Sequence, residues 1–346
     1  MKEIGSEFEW QEISDNQSGF DWIPTCDDWC LTFSGRTAFE SVIKDIGIIK
    51  KVYFPSYCCD SMLEPFRKEK IGTEFYDVDF ENKLDFRLSI PDDCDVLVWC
   101  NYFGYQSEYP IAEIEKFKKR GGIIIEDITH SLLSNQQYHV HRDYLVASVR
   151  KWGAVICGGL CCKLNGKFKT KTQKHPDERF IELKSKAMRL KREYINKPLS
   201  VNKSEFLEMY TESNHFFATD YSNVKIDKIS EELLKYWNID EIRSIRQKNA
   251  TLLHNELRDS DICKTIFNLK NTDCPLFVPI AVFGGKRDEL KQELIKNSIY
   301  CPSHWPRPKA NCDSSLYDIE LSLICDQRYT ENDMMRIVDV IKNFRG

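Results

Sequence analysis

Structure-breaking residues are scarce in this chain. Fifteen glycines and 12 prolines among 346 residues exclude a collagen-like or low-complexity polymer. No eighteen apolar residues run together, so no membrane span is expected. The opening residues, MKEIGSEFEW, have no basic stretch followed by an apolar one, so no secretory signal is expected either. Positive charge is not in excess: 49 Lys and Arg against 54 Asp and Glu leave a net charge of −5, which gives no global reason to expect nucleic acid as a partner. Neither GxGxxG nor GxxxxGK[ST] occurs, which disfavours a dinucleotide fold or a nucleoside triphosphatase.

Apolar material is plentiful, at 42% hydrophobic and 12% aromatic, enough for a sizeable core. The length suits two domains at roughly 150 residues each, or one large α/β unit with an appendage. Fourteen cysteines would suggest disulfides in a short secreted chain, but not in one this long. Their spacing does not fit zinc. Cys26/Cys30 and Cys157/Cys161 are CxxxC pairs, Cys58/Cys59 and Cys161/Cys162 are adjacent, and no paired CxxC exists. They read as reduced, buried small hydrophobes in a cytoplasmic protein, with no metal expected. His139 and His141 could hold a metal from one strand face or lie in a solvated polar loop.

Strand-length apolar runs alternate with amphipathic stretches, the pattern of an α/β sheet. Helices are expected over 36–49, 61–70 and 111–120, and strands over 51–54, 74–78, 95–100, 123–125, 144–148 and 159–164. Gly121 and Gly122 cap the third helix. From 163 to 203 the chain turns basic, with thirteen Lys/Arg against four Asp/Glu. That is either a phosphate-binding surface, for which 167–192 is the candidate, or a pair of solvated helices. A long helix pair over 226–260 follows, then a strand over 276–282, a helix over 287–296, strands near Ile299 and over 319–325, and a closing helix over 331–344 with Thr330 as N-cap.

Polar residues interrupt this pattern at three predicted strand ends, where open α/β sheets bind ligands. Ser34-Gly35-Arg36-Thr37-Ala38 is a small-residue turn opening a helix, either a phosphate cradle of free amides aided by the Thr37 hydroxyl or an ordinary N-cap. In IIIEDITH an apolar strand runs into Glu126 and Asp127, then Thr129 and His130. Two such carboxylates are costly to desolvate unless one has a cationic partner such as a pyridinium or a metal. Alternatively Asp127 merely caps the next element. In SVRKWG, Lys151 follows a strand beside Arg150. It is either structural or a Schiff-base lysine whose pKa neighbouring positive charge depresses.

Taken in order, a phosphate turn, an aspartate at a strand end and a lysine 24 residues later match pyridoxal phosphate chemistry. The chain resembles the fold type I pyridoxal phosphate enzymes, in particular the DegT/DnrJ/StrS-type nucleotide-sugar aminotransferases. The likeness is carried by SGRTAF, VYFPSYCC, FYDVD, NYFGY, IIIEDITHSL and SVRKWGAVICGGL, then by SIYCPSHWP and IELSLICDQRYTENDMMRIVDVI. It covers nearly all the chain from about residue 30.

The resemblance implies an α/β fold of that type: an N-terminal arm (1–30), a large domain (31–225) with a mixed, mostly parallel sheet flanked by helices, and a smaller C-terminal α+β domain (226–346). It implies pyridoxal 5'-phosphate as cofactor, held on Lys151, which also shuttles a proton, while Asp127 keeps the pyridine nitrogen protonated. His130 would bond the phenolic oxygen and Thr129 lie beneath the ring. Gly35, Arg36 and Thr37 would offer amides, and Ser148 its hydroxyl, to the phosphate. Tyr102 and Phe103 would line the sugar side. At the family's ring-stacking position this sequence has Cys59, with Tyr57 nearby as substitute. The family's Asn-Tyr-Arg-Met stretch, given by a second subunit, is closest to Asn223. The implied reaction moves an amino group, by analogy from glutamate, to a nucleotide-linked keto-sugar in a homodimer, as in polysaccharide biosynthesis. Two alternatives are a sugar dehydration on the same scaffold, which typically replaces the lysine by histidine, and a cofactor-free regulatory protein on a decayed enzyme fold.

Overall fold

The computed structural model describes residues 2–12, 18–107, 109–135, 141–197 and 200–345. In chain order the strands are β1 (Ile4–Gly5), β2 (Asp28–Thr32), β3 (Lys51–Pro55), β4 (Gly72–Phe80), β5 (Leu84–Arg87), β6 (Val96–Cys100), β7 (Ile123–Asp127), β8 (Tyr144–Ala147), β9 (Gly159–Lys163), β10 (Cys263–Thr265), β11 (Val278–Val282), β12 (Ile299–Tyr300) and β13 (Glu320–Leu323). The helices are α1 (Gly35–Ile46), α2 (Asp60–Lys68), α3 (Ile111–Lys119), α4 (Glu178–Asn196), α5 (Lys203–Thr219), α6 (Lys228–Leu234), α7 (Ile239–Glu256), α8 (Arg287–Lys296), α9 (Leu316–Ile319) and α10 (Glu331–Asn343).

Eight strands form the main sheet in the order β2-β9-β8-β7-β6-β3-β4-β5. Its centre, from β4 through β3, β6 and β7 to β8, is parallel, and β9, β2 and β5 add antiparallel pairings. β3, β6, β7 and β8 are buried along nearly their whole length, as parallel strands covered on both faces require, whereas β4 alternates. Every residue of Val96–Cys100 is buried, and burying each large apolar side chain contributes roughly 1.5–3 kcal/mol. One core gathers residues of α1, α2 and α3. A second lies beneath α4, α5 and α6. The chain enters β7 by a tight reversal: Gly121 has φ +86° after α3, a left-handed C-terminal cap that a side chain would strain. At the other end of the sheet an added Cβ on Gly159 would lie 2.2 Å from the Ser34 carbonyl oxygen, so only glycine lets β9 pass the start of α1.

A smaller antiparallel sheet, β10-β11-β13, packs with α7, α8 and α10 around a third core. The expected boundary at 226 does not coincide with the change of core. Leu233 and Leu234 of α6 and Ile242 of α7 join the large-sheet core, and Ala250 and Leu253 of α7 join the small one, so α7 spans both. The expected arm over 1–30 likewise contains most of β2, a strand of the main sheet, while β1 pairs with β12. Thr330 precedes α10, and its N–H donates to Asp333 at 3.0 Å, closing a capping box.

The basic stretch is neither free nor fully solvated. Lys184 Nζ sits 2.7 Å from Glu7, Lys191 donates to the Glu7 carbonyl, and Arg192 and Lys203 pair with Glu12 and Glu3. The acidic N-terminal segment therefore lies along α4 and α5, and a diphosphate role for 167–192 finds Lys184 and Lys191 already engaged. His139 lies outside the described residues, and His141 is 3.8 Å from Glu115. Among the described residues, no group of three or more His, Cys, Asp or Glu converges as for a metal, and no helix is long and apolar enough to cross a membrane.

Candidate active site

A cleft of about 670 Å³, counted out to its mouth, opens at the carboxyl ends of the parallel strands. Register explains why chemistry-bearing residues meet there. Asp127 ends β7 opposite Cys100 of β6 and Val146 of β8, and Ser148–Lys151 continues from β8 as one 3₁₀ turn. The start of α1, carried by β2, reaches the same edge. Asp127, Thr129, His130, Ser148 and Lys151 all line the cleft, as do Gly35 and Arg36.

The two adjacent acids face different environments. Glu126 accepts from Arg142 at 2.8 Å and from the Asn101 amide at 2.5 Å, and so has its cation. Asp127 forms no ion pair among the described residues; its carboxylate accepts the Thr129 N–H at 2.8 Å. Burial pushes its pKa up, and the Thr129 hydrogen bonds and the Lys151 charge pull down without cancelling that. A buried carboxylate without a counter-cation, at the floor of a cleft, suits a protonated ring nitrogen.

Lys151 is held by its neighbours. Trp152 donates from its indole to the Thr129 carbonyl at 2.8 Å, and Gln327 donates to the Trp152 carbonyl at 2.7 Å. Burial lowers the Lys151 pKa. Arg150 adds to that, and acidic groups including Asp127 offset only part, so the amine gives up its proton more readily than an ordinary lysine. His130 Nε2 lies 3.4 Å from Lys151 Nζ. Its Nδ1 accepts the Phe103 N–H at 3.2 Å, which assigns the ring proton to Nε2. Burial, with the Lys151 charge, lowers the His130 pKa well below the ordinary range, so the ring is neutral.

At the start of α1 the Ser34 hydroxyl caps the helix by accepting the Thr37 N–H at 3.3 Å. The Thr37 hydroxyl donates to the Tyr221 carbonyl at 2.9 Å. Thr37 is thus turned away, and the free donors are the amides of Gly35 and Arg36, which have no acceptor among the described residues. Tyr102 lines the cleft, its hydroxyl donating to the Tyr57 carbonyl at 2.5 Å.

Three residues expected in this chain's own site do not line the cleft, Thr37, Tyr57 and Phe103, and neither does Asn223, expected to serve the site of a second subunit. Tyr57 is fully buried and its hydroxyl donates to the His304 carbonyl; Cys59, at the N-cap of α2, is on the wall instead. Phe103 acts through its backbone, orienting His130, and Asn223 gives its N–H to Glu40 at 2.8 Å. Asn101, Phe217 and Trp305, residues without a role in the sequence reading, are also on the wall, as is Arg150, expected only as a positive charge beside Lys151. The Trp305 ring stacks on His130, centroids 5.5 Å apart. Its only sequence signal is the SHWP segment in the tail, and Phe217 carries none.

No family model and no curated protein matches the sequence. Among solved structures, an aminotransferase of pseudoaminic acid biosynthesis from Helicobacter pylori superposes with TM-score 0.66 at 12% identity, covering 99% of both chains. A sugar aminotransferase described as putative, from Streptococcus pneumoniae in its PLP form, gives 0.65 at 14% identity over 92% of this chain and 86% of that one. A sugar aminotransferase from Micromonospora echinospora gives 0.63 at 14% identity over 91% and 86%. The fold of this chain is therefore the one these enzymes share.

Proposed function

We propose that this chain is a pyridoxal 5'-phosphate-dependent aminotransferase, moving an amino group from an amino acid, L-glutamate by resemblance, to the keto group of a nucleotide-linked sugar. The observation that carries this reading is the shared cleft of Lys151, whose pKa burial lowers, and Asp127, a buried carboxylate without an ion-pair partner among the described residues. Such a pair is costly to maintain unless a ligand answers both. The likeness to solved sugar aminotransferases supports it.

The residues fit the cofactor. Asp127 would hold the ring nitrogen, His130 Nε2–H the phenolic oxygen, Lys151 the aldehyde carbon, and Gly35, Arg36 and Ser148 the phosphate. When bound, this group supplies an electron sink that makes the carbon bearing the amine acidic. The chain's part is to place and move protons. A Lys151 amine of lowered pKa can take a proton at Nζ and return it. His130, neutral and fixed by Phe103, donates from Nε2. Trp305, Phe217 and Tyr102 narrow the cleft and exclude water. We further propose a homodimer whose interface helps close each site, and a reducing, cytoplasmic setting suited to fourteen free cysteines.

The test is an absorption spectrum before and after adding pyridoxal phosphate, then L-glutamate. A visible band that forms and is then lost on adding the amino acid is the expected result. A protein that stays colourless would overturn the reading. A panel of nucleotide-linked keto-sugars then tests the acceptor, and light scattering the dimer.

A further inference from the structure

We propose that Arg150 is the charged anchor for a phosphate monoester in this cleft, working with the amides that open α1. The identity of that ester as pyridoxal phosphate rests on the reading above; the anion site itself does not. Arg150 lines the cleft one residue before Lys151 and two after Ser148. Its guanidinium lies over the Phe217 ring, 4.5 Å from the centroid. The guanidinium makes no hydrogen bond or ion pair among the described residues, and its Nε is sealed from solvent without an acceptor. A half-buried guanidinium whose Nε is left in that condition is unfavourable, and an anion in the cleft is what relieves it.

The surrounding charges are already committed. Arg36 Nε pairs with Glu64 at 2.6 Å, and its Nη1 donates to the Phe217 carbonyl at 3.0 Å. Glu7, the acid whose charge reaches Arg150, has its two carboxylate oxygens occupied by Lys184 at 2.7 Å and by Asn214 at 2.9 Å. Arg36, Arg150 and Lys184 against Glu7 and Glu64 leave one positive charge over, and it falls to Arg150. Beside it stand the acceptor-less amides of Gly35 and Arg36. An ideal Cβ on Gly35 would lie 3.3 Å from the Ser148 Cβ, so the helix start and the Ser148–Lys151 turn form one wall. Ser148 spends its N–H on the Thr129 hydroxyl at 2.9 Å, and its own hydroxyl has no partner among the described residues. Along this wall the Arg150 guanidinium, the Gly35 and Arg36 amides and the Ser148 hydroxyl have no acceptor among the described residues. A guanidinium fork matches a phosphoryl group better than an ammonium would.

The experiment uses the full chain with Arg150→Met and Arg150→Lys. First, inorganic phosphate against chloride at matched ionic strength is expected to raise the unfolding midpoint of the wild type, to do so less in R150K, and not at all in R150M. Second, absorbance titration with pyridoxal phosphate and with unphosphorylated pyridoxal is expected to show that R150M weakens the former about 10- to 100-fold and the latter less than about twofold. Equal weakening of both, or unchanged preference for the phosphorylated form, would overturn the proposal. Should R150M fail to fold, competition on the wild type decides. Inorganic phosphate must weaken apparent binding of pyridoxal phosphate and leave pyridoxal untouched, and R150K must blunt that competition. A protein that takes up neither aldehyde yet shows Arg150-dependent stabilisation by phosphate would keep the anion site and discard the cofactor reading.

Discussion

Charge is buried in two places in this molecule, and the two are arranged in opposite ways. Where the N-terminal segment crosses α4 and meets the turn before α10, buried charges are matched. Arg328 is 4% exposed and Asp326 7%, and they join through two hydrogen bonds of 2.8 and 2.9 Å, with Glu9 at 3.2 Å. Lys184 is 3% exposed and meets Glu7. In the cleft, buried Asp127 and half-buried Arg150 and Lys151 line one chamber with no ion pair among the described residues. The first arrangement is what folding alone requires, since a buried charge must be paired. The second makes sense when completed by a ligand. Even neighbouring residues divide this way: Glu126 has Arg142, whereas Asp127 has only a backbone amide and the Thr129 hydroxyl.

The largest effect should come from the cleft's amine. Lys151→Ala is expected to lower transamination on the order of 10⁴-fold or more and to abolish the visible band with pyridoxal phosphate, while the unfolding midpoint without ligand holds or rises as a half-buried amine is removed. A variant that still formed the band would end the lysine assignment. The adjacent acids give the next test. Asp127→Asn should cost about 10²- to 10³-fold in turnover, and Glu126→Gln less than about tenfold, with its penalty appearing in stability through Arg142. Equal losses of turnover in the two variants would mean that the contrast between a paired and an unpaired carboxylate carries no functional meaning.

How far the sequence foretells this depends on the range of the interactions involved. The helix over 287–296 has the bounds expected of it, and the helix over 331–344 ends one residue sooner, because each is set by local periodicity and the second also by its capping box. The strand over 276–282 begins only at Val278, since the Leu276 N–H is taken by the Phe103 carbonyl at 2.8 Å. That is a tertiary bond no local pattern reveals. β10 and the pairing of β1 with β12 are too short to show alternation, while β5 alternates over only Leu84–Arg87. In the site, Asp127, His130 and Lys151 were legible because strand ends and residue order announce them. Trp305 and Phe217 were not, for they reach the cleft from the tail and from the end of α5. The free state of Arg150 was less legible still, because it follows from Glu7 being occupied by Lys184 and Asn214.

The matched region should respond in stability and leave the cofactor spectrum alone. Arg328→Met strands Asp326, which is buried, and is expected to cost about 3–5 kcal/mol by urea unfolding, with the visible band retained at permissive temperature. If stability held, the pairing at that junction would be incidental.

A smaller effect separates the regions by pH. Burial pushes the Glu7 carboxyl up, but the Lys184 and Arg150 charges and the hydrogen bonds from Lys184 and Asn214 more than reverse this, bringing its pKa from 4.5 to about 2. A carboxyl whose folded pKa is depressed stabilises the fold above its unfolded pKa and loses that contribution as protons bind on the way down. Stability from Glu7 should therefore be complete above about pH 4.5 and fade toward pH 2. Its side chain is 33% exposed, so solvent screening reduces the contribution to about 1–2 kcal/mol. Glu7→Gln should accordingly flatten the fall of unfolding free energy between pH 4.5 and 2, measured by urea titration at stepped pH. Parallel curves for the two proteins would show that Lys184 gains nothing from the Glu7 charge. The excess positive charge assigned to Arg150 would then have to be counted again with Lys184 unpaired beside it.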